Sequence, residues 1–205
     1  MPDDAYLQPY RDAQRRHGSG FDVTLWARPE TQQLRFRLFT QVVDFAGKRV
    51  LDAGCSRGDF AAYLLEHDVG YERFVGIDGV PEVIAFANGR GLRDAEFHAG
   101  DFVRDPSLLA TGWPDITAIS GTLNTMDAEA VFAVLGGAWA GCGEALLFNF
   151  LSDRPGPGAT PQQDPARRLP TLALLDWALD QTPYVQLRHD YFAHGHDATV
   201  VMRRG

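Results

Sequence analysis

Short apolar runs that stop at an acidic residue alternate with segments of helical period along most of the chain. Val50-Leu51 stops at Asp52, Phe74-Val75-Gly76-Ile77 at Asp78, and residues 95–99 lead into Gly100-Asp101. Between them Phe60, Ala61, Tyr63, Leu64 and Leu65 recur at helical spacing. Pro81 suits the first turn of a second helix running to about Asn88. Residues 115–119 predict a fourth strand. Residues 127–140 predict a helix that buries Val131, Leu135, Ala138 and Trp139. Residues 145–151 are nearly all apolar and read as a central fifth strand. Strands alternating with helices predict an α/β fold around a parallel sheet.

The two ends of the chain depart from this rhythm. Tyr6, Tyr10, Ala13 and His17 share one helical face before Gly18-Ser19-Gly20 breaks it. A second helical run has Leu34, Leu38 and Val42 every four residues, with Phe39 and Phe45 as further buried positions. The stretch between the runs carries Phe21 and Trp26, aromatics that either wall a pocket or simply cover the sheet. Residues 153–170 are rich in Pro, Gly and polar residues, and read as a lid, a binding loop or a disordered segment. A helix over residues 171–181 follows. Two β-rich runs, 184–192 and 198–203, then form a hairpin through His194-Gly195-His196-Asp197.

A length of 205 residues with 45% apolar content suits one domain with a substantial core, and no apolar run is long enough to span a membrane. The first residues carry acidic groups and no apolar stretch of the kind a secretory signal needs. Cys55 and Cys142 show no metal-ligand spacing and no disulfide framework, which predicts a reducing, cytoplasmic setting. A net charge of −8 argues against nucleic acid as the main partner.

The candidate chemistry starts where the first strand meets its helix. Gly54 and Gly58 bound a turn through Cys55, Ser56 and Arg57, an arrangement that brings backbone groups close to a ligand. Asp52 puts a negative charge beside that turn, awkward for a pyrophosphate and favourable for a cationic amine. The G-x-x-x-G spacing lacks the dinucleotide fingerprint G-x-G-x-x-G. Asp78 lies 20 positions beyond Gly58, at the end of the second strand, where a carboxylate can accept from ribose hydroxyls. It could alternatively cap the helix that begins near Pro81.

Asp52-Ala53-Gly54-Cys55-Ser56-Arg57-Gly58 resembles the first motif of the class I S-adenosylmethionine-dependent methyltransferases, acidic-x-Gly-x-Gly-x-Gly, with Ser56 in place of the middle glycine. The resemblance covers roughly residues 48–205. It implies a Rossmann-like, mostly parallel sheet of seven strands with helices on both faces, the last strand inserting antiparallel between the fifth and sixth. It also implies one methyltransferase domain, with residues 1–45 as an N-terminal helical cap over a cofactor-binding core at 46–205. The cofactor would be S-adenosylmethionine, leaving as S-adenosylhomocysteine. By the same resemblance Asp52 and the Gly54 backbone would hold the methionine amine and Asp78 the ribose. Asp101 would accept from the adenine amine, with Phe102 as an apolar wall beside the ring. Cys55, Gly58, Gly79 and Ser120 complete the expected cofactor-binding set. Ser120-Gly121-Thr122-Leu123 lacks the two prolines of the enzymes that methylate adenine or glutamine nitrogen, which disfavours that substrate class.

The acceptor end is less defined. Asn124 either orients a substrate oxygen or, the favoured reading, caps the next helix. Asn149 is either a satisfied core amide, which is favoured, or a donor lining a pocket. His17 and His189 are the candidate general bases, each more simply read as a non-catalytic histidine. His194 and His196 lack a third ligand, so no metal site is expected. The expected activity is methyl transfer to a small-molecule acceptor at O, N or C. The alternatives are a non-catalytic cofactor-binding or regulatory protein on the same fold and, third, an NAD-dependent oxidoreductase. The expected assembly is a monomer or homodimer, with no nucleic-acid or membrane partner.

Overall fold

A computed structural model describes residues 4–205. Residues 1–3, which begin the expected cap, lie outside the described residues. Seven strands form one sheet: β1 (Arg49–Ala53), β2 (Arg73–Asp78), β3 (Ala95–Ala99), β4 (Ile116–Ser120), β5 (Ala145–Leu151), β6 (Val185–Arg188) and β7 (Asp197–Arg203). Their spatial order is β3-β2-β1-β4-β5-β7-β6. Strands β1 to β5 run parallel, and β7 pairs antiparallel with both β5 and β6. The sheet and the inserted last strand are those expected from the sequence. All parallel strands end on one edge, and the order turns back between β1 and β4. That is where open α/β sheets bind ligands.

Helices cover both faces. Helices α3 (Asp59–Glu66) and α4 (Pro81–Gly89) lie on one face, and α5 (Ala128–Gly141) and α6 (Thr171–Gln181) on the other. Two N-terminal helices precede them, α1 (Gln8–His17) and α2 (Pro29–Val42). Helix α2 belongs to the first layer: Phe36 and Phe39, with Phe45 beyond its end, pack around Phe60 of α3 at ring separations of 5.0, 5.8 and 5.5 Å. Leu38, Phe39 and Phe45 are buried as expected, but the aliphatic repeat marks only part of the buried face. Leu34 and Val42 are half-buried, whereas Gln32, Arg35, Phe36, Leu38 and Phe39 are buried. A buried arginine turns the face away from the stripe that aliphatic residues alone would predict.

Arg35 is 2% exposed and its guanidinium meets Asp197, which is fully buried at the start of β7. The Nε–H donates to Asp197 Oδ2 at 2.9 Å, and an Nη1–H donates to the Thr31 carbonyl at 2.6 Å. Tyr191 donates its hydroxyl to the other Asp197 oxygen. Burial, with Asp197 beside it, pushes that phenol far up, so it stays protonated as a donor. Trp26 and Phe192 stack on the guanidinium at 4.0 and 4.8 Å.

This cluster explains where the C-terminal hairpin departs from expectation. The sequence predicts a strand to Phe192, but β6 ends at Arg188 and residues 189–196 form an irregular connection. Tyr191 and Phe192 have high strand propensity, yet their side chains are taken by Asp197 and Arg35. His189 is therefore not in a strand, and Asp190 pairs with Arg188 instead.

Removing one member of a buried ion pair strands the other charge, at a cost of about 3–5 kcal/mol. Asp197→Ala should lower stability to urea by that amount, and adding Arg35→Met should recover most of it. A loss below about 1 kcal/mol for the single variant would show that the pair does not anchor α2 to the sheet.

Candidate active site

The turn after β1 is shaped by backbone geometry. Gly54 has φ +87°, and a Cβ there would fall 1.9 Å from Thr122 Oγ1 of the turn that follows β4. Ser56, at the position where the related motif has glycine, sits in the left-handed region at φ +46°, a conformation costing roughly 1–2 kcal/mol without glycine. The N–H groups of this turn face inward. Those of Gly54 and Cys55 donate to the Ile77 carbonyl at 2.8 and 3.1 Å, and that of Gly58 to the Cys55 carbonyl at 2.9 Å. Ser56 N donates to Asp78 Oδ2 at 2.9 Å. With these four donors already used, the turn offers a ligand little of what a phosphate needs. Its chemistry suits a cation.

The strand-end carboxylates line one cavity of about 470 Å³ at the carboxyl edge of the sheet. Asp52 is 3% exposed and has no hydrogen-bond partner among the described residues. Burial, then the carboxylates of Asp78 and Asp59, push its pKa up to about 8. Asp78 accepts from Ser56 N and, at 3.0 Å, from Val80 N; burial raises it to about 6 against the pull of those two N–H groups. The bond to Val80 N is the capping role weighed from the sequence, and it leaves room for further donors on the same carboxylate. Asp101 accepts the Tyr6 hydroxyl at 2.6 and 2.7 Å on its two oxygens, and Val103 N at 3.1 Å. Burial, then Asp101, pushes the Tyr6 phenol up, and burial takes Tyr10 to about 12, so both remain protonated. Asp59 also reaches the cavity but is held by Arg90 at 2.8 Å.

Of the residues expected from sequence, Asp52, Gly54, Cys55, Asp78, Gly79, Asp101, Phe102 and Ser120 line this cavity. Burial, with Asp78 and Asp52 close by, pushes the Cys55 thiol up, so it is no nucleophile. Gly58 does not line the cavity; it sits behind the turn with φ +73°, its Cα face against Phe97. His17 and His189 do not line it either. His17 lies 3.7 Å from Asp22, and His189 packs on Gly195 with Nε2 buried and unpartnered. Among the described residues, no group of three His, Cys, Asp or Glu is placed to hold a metal.

The other half of the cavity comes from elements whose part was not legible in the sequence. Gly121, at φ +76°, lets the Trp26 ring lie against the end of β4, where a Cβ would be 2.3 Å away. Trp26, Arg35 and Phe192 form a stacked wall, and residues 160–166 of the Pro/Gly loop close over it. Arg168 pins that loop, donating to the carbonyls of Ser152 (2.6 Å), Thr160 (2.8 Å) and His196 (3.2 Å). Its Nη2 also donates to His196 Nδ1 at 3.1 Å. Burial, then the Arg168 charge, lowers the pKa of His196, a cavity residue overlooked in favour of His17 and His189.

The two asparagines also differ in part from expectation. Asn149 is fully buried and satisfied: its Oδ1 accepts from Gly121 N at 2.8 Å and its Nδ2 donates to Ser120 Oγ at 3.0 Å. It fixes two cavity residues without lining the cavity. Asn124 lines the cavity and does not cap α5; Asp127 does, accepting from Ala130 N at 2.9 Å.

A family model described as a methyltransferase domain matches residues 44–133. No curated protein sequence matches the chain. Solved structures resemble it over its whole length. The DhpI–SAM–HEP complex aligns with a TM-score of 0.67 at 16% identity, covering 100% of both chains. Magnesium protoporphyrin IX methyltransferase (ChlM) from Synechocystis PCC 6803 with bound SAH gives 0.70 at 15% identity, covering 98% of this chain and 97% of that one. Human N-acetylserotonin methyltransferase in complex with SAM gives 0.72 at 19% identity, covering 100% of this chain and 60% of that one. At such identities the likeness is one of fold. Residues 44–133 are thus similar to a methyltransferase domain, and the chain as a whole shares the fold of these solved methyltransferase structures, a seven-stranded sheet with helices on both faces.

Proposed function

We propose that this protein transfers a methyl group from S-adenosylmethionine to a small-molecule acceptor. The observation that carries the reading is the convergence of Asp52, Asp78 and Asp101, each at or just past a strand end, on one cavity. A buried carboxylate with no hydrogen-bond partner fits a cationic ligand. When bound, the cofactor supplies a methyl group on a sulfonium, whose leaving group is a neutral thioether. Asp52 and the Gly54 carbonyl would take the amine. Asp78 would accept from the ribose hydroxyls with its lone pairs not used by Ser56 and Val80. Asp101, steadied by Tyr6, would accept from the adenine amine, and the buried Phe102 ring would wall the base. Cys55, Gly79 and Ser120 would shape the remaining contacts, with Gly58 holding the turn from behind.

The rest of the chain would orient the acceptor and exclude water, which accounts for much of the acceleration available to such a reaction. The proposed N-terminal cap serves this end, since Tyr6, Leu7, Tyr10, Val23 and Trp26 all line the cavity. Residues 46–205 would supply the core of the same single domain. Two free, buried cysteines support a cytoplasmic protein, and a net charge of −8 supports the absence of a nucleic-acid partner; the protein would act as a monomer or homodimer without a membrane partner. No helix among the described residues is long and apolar enough to cross a membrane. Comparison proteins solved with SAM or SAH support the choice of cofactor.

Asp78→Ala should weaken S-adenosylhomocysteine binding at least about tenfold, the worth of a buried charged hydrogen bond; unchanged affinity by calorimetry would remove Asp78 from the site. Binding should also move protons. A cation beside Asp52 favours its ionised form and lowers a pKa that stands near 8, so a proton is released at pH values below about 8 and above the lowered value. Calorimetry at pH 7 in buffers of different ionisation enthalpy should show about one proton released, and Asp52→Asn should abolish it. Buffer-independent enthalpy in the wild type would contradict the assignment. Binding without methyl transfer to any of a panel of small acids, phenols and amines would favour the regulatory alternative.

A further inference from the structure

Helix α2 turns one polar side chain toward the cavity with nothing to hold it. Thr31, Gln32, Arg35 and Phe36 share the face of α2 that lines the cavity. Arg35 is bonded to Asp197 and to the Thr31 carbonyl, Thr31 donates its hydroxyl to the Arg28 carbonyl, and Phe36 packs on Phe60. Gln32 is 7% exposed, yet its amide has no hydrogen-bond partner among the described residues. Neither amide atom is sealed inside the protein, so the end of this side chain opens on the cavity. An amide taken out of bulk water and left unpaired costs stability, and it points to a partner on the bound molecule.

The position of Gln32 decides which end of the cavity it serves. Phe60 is the second residue of α3, the helix that leaves the Gly54–Gly58 turn, and Phe36 meets its ring at 5.0 Å. Gln32 precedes Phe36 by one turn, about 6 Å along the helix, and so stands beside the turn that receives the amino-acid end of the cofactor. That end carries two charges. Asp52 answers the ammonium, but the carboxylate one carbon away is an anion among carboxylates and needs a donor. The N–H groups of Gly54, Cys55, Ser56 and Gly58 are used within the fold. The hydroxyls of Thr24, Thr31 and Thr122 donate to backbone carbonyls, and the Arg35 guanidinium is taken by Asp197. Gln32 is the buried side chain on this face whose donors are free. Arg28, the other candidate, is exposed at the rim a further turn away.

We propose that Gln32 binds the carboxylate at the amino-acid end of the cofactor, donating from Nε2. The assignment rests on the methyl-transfer reading of the same cavity and adds an anchor for the one charge that the strand-end acids repel. No protein partner fixes which way the amide faces, so Nε2 is free to turn to the anion. The backbone that carries it is fixed. Three residues on, Arg35 ties α2 to β7 through Asp197, and Phe36 ties it to α3. Asp52 on β1 and Gln32 on α2 would then grip the methionine arm from two elements. That grip sets the direction of the sulfonium, on which in-line transfer depends.

Calorimetry with two ligands tests this: S-adenosylhomocysteine and its decarboxylated analogue, an aminopropyl thioether of the same nucleoside that keeps the amine, ribose and adenine. The wild type should bind S-adenosylhomocysteine at least about tenfold more tightly, the worth of one charge-assisted hydrogen bond. Gln32→Leu should erase that preference, weakening S-adenosylhomocysteine at least about tenfold and leaving the analogue within about threefold. Gln32→Glu keeps the shape and sets a carboxylate against a carboxylate. It should weaken S-adenosylhomocysteine at least as much without weakening the analogue, and it decides alone if Gln32→Leu does not fold. A wild type without the preference, variants that weaken both ligands alike or neither, or a selective loss in Arg28→Ala instead overturns the assignment while the methyl-transfer reading stands. Failure of S-adenosylhomocysteine to bind the wild type overturns both.

Discussion

The structure depends on the burial of a carboxylate that the chain does not itself neutralise. Asp52 has almost no exposed surface and no hydrogen-bond partner among the described residues, and its neighbours Asp78 and Asp59 are also acidic. Such an arrangement costs stability, expressed as a carboxyl group pushed up to about 8. The fold around it meets that cost. Strand β1 is central and parallel, α3 packs on it through the Phe60 cluster, and the turn between them directs its N–H groups inward. What remains facing the cavity is an acceptor surface suited to a cation.

The two halves of the cavity come from different elements. Carboxylates stand at the ends of β1 to β3, whereas the turn after β4 brings the Asn124 amide and the C-terminal connections and long loop bring the His196 imidazole and the Asp164 carboxylate. Between them lies Gly121, whose backbone lets Trp26 approach the switch point of the sheet. The N-terminal region spans both halves. Tyr6 steadies Asp101 at one end, and Arg35 ties α2 to β7 at the other. The N-terminal helices and the sheet are thus joined by a buried ion pair between residues 162 positions apart.

The strand-end acids and the alternation of elements were legible in the sequence because both are local. A strand that stops at Asp52 or Asp78 announces itself within ten residues, and the Gly-bounded turn stands between strand and helix. Arg35 was not legible, since an arginine in a helix reads as a solvated face until Asp197, Trp26 and Phe192 are brought to it. The same cluster removed Tyr191 and Phe192 from the strand that their propensity predicts. Asn124 and Asn149 show a similar limit. Both read as amides that could cap, fill the core or line a pocket, and only the bonds to Leu151 and to Gly121 and Ser120 separate the roles. His196 was passed over because nothing in the residues beside it foretells Arg168, which is anchored from the far side of the loop.

The most direct test is a crystal structure of the protein with S-adenosylhomocysteine. The ligand should lie along the carboxyl edge of the sheet, its amine nitrogen near Asp52, its ribose hydroxyls on Asp78 and its adenine between Asp101 and Phe102. Density for that molecule anywhere else, or in this cavity with the ribose turned away from Asp78, would contradict the account.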